Sequence, residues 1–272
     1  MADRPRVAVL QFPGSNCERE TAAAAEAAGM EAEVVRWNLP ERLAGADAFV
    51  LPGGFSFQDR VRAGAVAAKE RIMDAVAEAA SSGTPVLGIC NGAQILLESG
   101  LVPGWKPGMV EAALGSNMVH GRSGYLSAWV HVRPDPPAAE DCPWLCALED
   151  GPLPLPIAHA EGRFLLDRDD MERAEGCRGL RYCRPDGAEA EGYPHNPNGS
   201  LLDMAAMVGS GGTALAMMPH PERAAWMWQL PPALAGEWGG RRRKLSPEEL
   251  LSAPGPGMLI FRGLSRWLGV GG

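Results

Sequence analysis

The sequence predicts an α/β fold: an open, mostly parallel sheet with helices on both faces, and an antiparallel β addition in the second half. Three observations carry this expectation. Short apolar runs alternate with helical stretches through the first half. Strand follows strand in the second half, with little helix between. Several first-half strands end in glycine-bearing turns, and in such sheets ligands collect at the strands' carboxyl ends.

The elements follow in order. Val7 to Phe12 is apolar and reads as a strand, followed by an Ala-rich helix from about Cys17 to Ala28 that Gly29 closes. Ala32 to Trp37 is a second strand, and Asp47 to Leu51 a third that ends in Pro52-Gly53-Gly54. A long helix from about Ala63 to Ser81 leads to the apolar run Pro85-Val86-Leu87 and then to Gly88-Ile89-Cys90-Asn91-Gly92. Helix is expected from Ala93 to about Ser99. Ala128 to Val132, Gly162 to Leu166, Gly179 to Cys183 and Met204 to Gly209 read as strands, with Arg184-Pro185-Asp186-Gly187 as a hairpin turn. Ala214 to Met218 is the last strand. The Gly/Pro-rich, polar stretch 226–256, with Arg241-Arg242-Arg243-Lys244, reads as a surface loop, and Met258 to Leu268 as a closing amphipathic helix.

Composition bounds the function. The chain has 272 residues and 46% apolar content, which suits one elaborated domain over 1–272 with a surface insertion at about 226–256. A net charge of −8 argues against non-specific nucleic-acid binding. The first apolar run is too short and too soon interrupted for a signal peptide, and no run approaches the roughly 20 residues that span a bilayer, so a soluble, cytoplasmic protein is expected. Cysteines stand at 17, 90, 142, 146, 177 and 183 and read as free thiols. Cys142, Cys146, Cys177 and Cys183 lack the tight spacing of a four-thiolate zinc site, and no metal is expected.

The chemistry centres on Cys90. A strand that turns sharply into a helix needs residues almost without side chains on either side, and the residue at the tip is pushed out into solvent. A thiol there sits near a helix N-terminus, which favours thiolate, and the Asn91 N–H points where an oxyanion would form. The candidate base is His220 in Met218-Pro219-His220-Pro221-Glu222, with Glu222 two residues on to hold the imidazole. His120, His131 and His195 have no carboxylate at that spacing. His159 does, in Glu161, so spacing alone leaves it open, although it follows only Pro156-Ile157 and not a full strand. A second oxyanion donor is expected from Gly53-Gly54, where glycines let a backbone amide approach a carbonyl.

Together these residues resemble the class I (triad) glutamine amidotransferases. The stretch from Gly88 to Gln94 matches that family's Gly-x-Cys-x-Gly-x-Gln, and Met218 to Arg223 matches its histidine segment. Phe12 to Cys17, Leu51 to Ser56, Pro156 to His159, Glu161-Gly162 and Asn196 to Ser200 are similar to the branch that serves purine biosynthesis. The resemblance implies a flavodoxin-like fold and glutamine hydrolysis by Cys90, His220 and Glu222. It implies oxyanion and substrate contacts from Gly53, Gly54, Asn91 and Gln94. It also implies delivery of ammonia to a separate synthetase subunit, which uses ATP and Mg to convert formylglycinamide ribonucleotide to formylglycinamidine ribonucleotide, and it leaves room for a small third subunit. No cofactor is then expected on this chain, which has no Gly-x-x-x-x-Gly-Lys phosphate loop. A cysteine peptidase or γ-glutamyl hydrolase on the same fold is the competing expectation. Two departures stand out. Gln58 occupies a position where the family usually carries glycine, and 134–156 and 226–256 are longer than its pattern. The second of these long segments, basic and Trp-containing, either touches the synthetase or stays an unpaired, solvated loop.

Overall fold

The computed structural model describes residues 4–119, 121, 123–136, 138–149 and 151–270. Its first half alternates strand and helix: β1 (Arg6–Gln11), α1 (Glu18–Ala27), β2 (Glu31–Arg36), β3 (Ala48–Leu51), α2 (Arg71–Ser81), β4 (Val86–Ile89) and α3 (Asn91–Ser99). The later elements are β5 (Ala112–Ser116), β6 (Leu126–Pro134), β7 (Leu153–His159), β8 (Glu161–Leu166), α4 (Met171–Glu175), β9 (Arg178–Cys183), β10 (Met204–Val208) and β11 (Ala214–Met217). After them come α5 (Gly236–Arg242), α6 (Pro247–Ser252) and α7 (Met258–Trp267).

One nine-stranded sheet runs β2-β1-β3-β4-β11-β10-β9-β6-β7, and β5 pairs with β8 in a small second sheet. From β2 to β11 every pairing is parallel, and from β11 to β7 every pairing is antiparallel. The parallel half is apolar throughout β3 and β4 because helices cover both its faces, whereas the outer strand β2 alternates. No helix among the described residues is long and apolar enough to cross a membrane.

Four expectations need correction. The helix foreseen over 63–81 is α2 alone, from Arg71, preceded by a short 3₁₀ turn at Ala67–Lys69. Gly64 stands at φ +79° against α3, and Glu70 is extended, so the chain cannot wind continuously there. The stretch 226–256 is not a bare loop: it carries α5, α6 and a small apolar cluster of Met227, Leu230 and Leu234. Its missed signal was Ser246-Pro247-Glu248-Glu249, a capping box with proline in the first helical turn. His159 does end a full strand, β7. Pro154 and Pro156 hid that strand, and they are tolerated because β7 lies at the sheet's edge. The turn at Arg184–Gly187 closes only a short return to Glu189, with β10 beginning later at Met204.

Candidate active site

Cys90 sits between β4 and α3 at φ +51°, ψ −104°, a conformation that a non-glycine residue holds only under constraint. The constraint is close packing on both sides. A Cβ on Gly88 would lie 2.5 Å from Gly92 O, and one on Gly92 would lie 1.9 Å from Leu51 O. Both neighbours must therefore be glycine for the turn to close against β3. The tip is not out in solvent as expected: Cys90 is 5% exposed, at the floor of a cleft. The loops that rise around that floor bury it. Cys90 Sγ lies 3.7 Å from Ala158 O, to which it donates.

His220 follows β11, the strand beside β4, so sheet order brings base and thiol to one edge. Both line a small cleft of about 40 Å³. The imidazole Nδ1 lies 2.6 Å from Glu222 Oε1, and both side chains are buried. Nε2 has no hydrogen-bond partner among the described residues. Burial works against a charged ring here. The Glu222 and Cys90 charges, with contacts to Cys17 and Cys90, outweigh it and hold His220 well above the usual imidazole range.

The other buried imidazole goes the opposite way. His159 is 3% exposed, and burial, then the His220 charge, push it down to about 3. Its Nδ1 faces Asn117 Oδ1 at 3.1 Å, a neutral amide where His220 has a carboxylate. Spacing to Glu161 left His159 open as the base, but its ring faces an amide and no carboxylate, unlike that of His220. His131 lies on β6, where burial, then the His195 charge, push it down. His120 lies outside the described residues.

The oxyanion candidates separate. Ser15 pairs with Gly54 through the neighbouring amides, Asn16 N to Gly53 O (3.1 Å) and Phe55 N to Gly14 O (2.9 Å). The Gly54 amide is left out of that ladder, and Gly54 lines the cleft with Cys90. Asn91 N–H heads α3, where the first turn's amides lack helical partners. Gly53 has another place: a Cβ there would lie 2.6 Å from His220 Cε1 and 3.4 Å from Cys17 Sγ, so its bareness seats the imidazole. The Asn91 side chain accepts from Ser56 N (3.0 Å) and donates to Gln94 Oε1 (2.9 Å), and Gln94 Nε2 donates to Glu161 O (2.7 Å).

Sequence reasoning missed Cys17. Buried behind the imidazole, its Sγ lies 4.0 Å from His220 Nδ1 and accepts from Arg223 Nη2 at 3.0 Å, and Arg223 Nε stands 3.8 Å from Glu222 Oε1. Both lie in the family-like segments read above, but only proximity in the fold links residues 17 and 223, so sequence reasoning assigned neither a role. Among the described residues, Cys17, His220 and Glu222 are the one set of such side chains close enough to share a metal ion, within 4.8 Å of one another. The direct His220–Glu222 hydrogen bond and the guanidinium on Cys17 make this a supported imidazole. Cys142, Cys146, Cys177 and Cys183 are free and do not form such a set.

A family described as the CobB/CobQ-like glutamine amidotransferase domain matches residues 4–268. A Methanothrix thermoacetophila protein, phosphoribosylformylglycinamidine synthase subunit PurQ, is 46% identical over 252 residues, 87% of this chain and 94% of that protein. The protein of the same name from Thermus thermophilus is 44% identical over 80% of this chain and 89% of its own length. A chain in a solved structure of PurLQS from Thermotoga maritima superposes with a TM-score of 0.70 at 30% identity, covering 97% of this chain and 99% of that one.

Proposed function

The chain belongs to the family of CobB/CobQ-like glutamine amidotransferase domains, and we infer that it serves as the glutaminase subunit of phosphoribosylformylglycinamidine synthase in purine biosynthesis. The observation that carries the chemistry is the His220–Glu222 pair at 2.6 Å, whose free Nε2 shares the cleft with Cys90.

Cys90 Sγ attacks the side-chain carboxamide of L-glutamine, and the oxyanion forms against the backbone amides of Gly54 and Asn91. His220 carries the thiol proton to the departing nitrogen, so ammonia leaves and a γ-glutamyl thioester remains on Cys90. Water, deprotonated by His220, then cleaves the thioester to glutamate and restores the thiol. Glu222 holds the Nδ1 proton through both steps, and Gly53 and Cys17 keep the ring in place. Gln94 fixes the cleft wall through Glu161.

Ammonia passes to the synthetase subunit. ATP and Mg belong there, with formylglycinamide ribonucleotide as acceptor, and no cofactor is assigned to this chain. Residues 1–272 act as one domain in this reading, with 226–256 as its added segment, and a small third subunit completes the complex. The relatives' names favour this reading over a cysteine peptidase or γ-glutamyl hydrolase.

Incubation with 6-diazo-5-oxo-L-norleucine, with and without the synthetase, followed by mass analysis, tests the reading. One adduct on Cys90 is expected, and its absence in both conditions would overturn the mechanism. Cys90→Ser should lower glutamine-dependent activity by at least about 10³-fold while sparing ammonia-dependent synthesis.

A further inference from the structure

A cavity of about 430 Å³ lies at the other end of β6 and β7 from Cys90, lined among others by Arg133, Pro134, Pro152, Arg181, Asp186 and Gly187. Pro152 precedes β7, whereas Ala158, which the thiol touches, is near its end. Roughly 20 Å of strand therefore separates the cavity from the nucleophile. Pro134 and Pro152 belong to the long 134–156 segment, and Asp186 and Gly187 to the turn after β9. None of these residues serves the chemistry at Cys90. The volume falls within the range of small-molecule sites.

Arg133 and Arg181 stand directly opposite each other in the antiparallel β6–β9 register. Their side chains thus share one face of the sheet, with Cβ atoms about 5 Å apart, and like charges so placed destabilise a strand pair. The neighbouring carboxylates do not relieve it. Asp135 is bound directly by Arg178 Nε and meets Arg181 Nε only at 3.5 Å. Glu189, an exposed residue, stands 3.6 Å from Arg181 Nη1. Asp186 Oδ1 accepts from Ala188 N (3.1 Å) and pairs with Arg184 Nε at 3.7 Å. Arg133 has no hydrogen-bond or ion-pair partner among the described residues. The Cys183 thiol does not supply an anion either. Burial pushes it up to about 11 despite the Arg133 and Arg181 charges.

Nε of each arginine is buried without a hydrogen bond, so the terminal nitrogens are the ones left to meet a ligand. Two guanidinium forks side by side match a tetrahedral oxyanion, which offers oxygens to both, whereas one carboxylate fills a single fork. Inorganic phosphate alone would leave much of the 430 Å³ unfilled. The rest of the lining is proline, glycine and the Asp186 carboxylate, an acceptor for a hydroxyl group.

We propose that Arg133 and Arg181 bind the phosphoryl group of a small phosphomonoester, whose hydroxyl-bearing body fills the cavity against Asp186. This accessory site stands apart from the glutaminase chemistry and does not depend on it.

Calorimetric titration of the full chain with ribose 5-phosphate, inorganic phosphate, sulfate and ribose, at constant ionic strength, tests the proposal. Ribose 5-phosphate should bind about tenfold or more tighter than inorganic phosphate or sulfate, and ribose should not bind. Arg133→Gln and Arg181→Gln should each weaken ribose 5-phosphate by about tenfold or more. The opposed charges give a second readout. Without ligand, Arg133→Gln should raise Tm by on the order of one degree, where an arginine that merely braces the fold would lower it. Saturating ribose 5-phosphate should raise the wild-type Tm by a few degrees and leave that of the variant in place. Absence of ribose 5-phosphate binding overturns the proposal, as does equal affinity in the wild type and both variants. Equal affinity for ribose 5-phosphate and sulfate reduces the site to an anion patch and overturns it too. A lowered Tm in ligand-free Arg133→Gln removes the unrelieved repulsion on which the site rests.

Discussion

Two buried imidazoles are shifted in opposite directions, His220 up beside a carboxylate and His159 down beside an amide. That contrast has a consequence for stability. The unfolded chain protonates His159 near 6.5, but the fold lets it protonate only near 3. Between those values the unfolded state binds more protons, so stability falls as pH drops through that window. His220 acts in the other direction: its contribution is full below about 6.5 and is lost as pH rises through its raised folded value. His159→Gln should therefore flatten the acid limb of urea midpoints between about pH 6 and 3, on the order of a few kcal/mol at its lower end. An unaltered acid limb would show that His159 is not buried neutral. Gly53→Ala places a Cβ against the His220 ring. It should lower kcat by about 10²-fold through displacement of the base, while the Cys90 thiol still reacts with iodoacetamide.

At the scale of elements, the cleft wall after β3 is the strained part. Phe57, Gln58, Asp59 and Val61 all have positive φ, at 51°, 62°, 52° and 72°. Phe57 anchors the stretch by packing on Phe12 and Trp37, with ring centroids 6.5 and 5.8 Å away. Gln58 thus occupies a backbone shape that glycine adopts without cost. Gln58→Gly should stabilise the protein by up to about 1 kcal/mol, since the relieved strain slightly exceeds the added freedom of the unfolded chain. Gln58→Ile should destabilise it by more than about 1 kcal/mol, and thermal unfolding of both variants decides the point. Such strain was invisible in the sequence except as a departure from a family pattern. By contrast, the Gly88-x-Cys90-x-Gly92 turn and the parallel strands were legible because sterics and period write them locally. β7 was not, because its prolines mimic a loop and only its edge position excuses them. The places of Cys17 and Arg223 beside the base were not either, since tertiary contacts alone assemble them.

Across the whole molecule, the two sheet halves divide the work. The parallel half presents Cys90 and, from β11, the His220 turn, while β7 at the far edge and β8 of the small second sheet bring His159 and Glu161 to the Cys90 cleft. The added 226–256 segment starts and ends on the base. Gln229 Nε2 donates to Glu222 O (3.1 Å), and Gly255 N and Gly257 N each donate at 2.8 Å to the carbonyls of Ala225 and Ala224. A Cβ on Gly257 would lie 1.9 Å from Pro221 O, so the returning chain is packed directly against the turn that carries His220. The segment's run of four basic residues, in a chain of net charge −8, gives a partner an electrostatic handle. Arg243 is occupied with Leu234 O, but Arg241 and Lys244 are exposed. Replacing both with Glu should slow association with the synthetase by about tenfold at low salt and less at high salt, because rim charges act mainly on encounter. Iodoacetamide labelling of Cys90 should not change. Equal association rates for variant and wild type at both salt concentrations would take this segment out of the interface. It would then be a brace for the His220 turn alone.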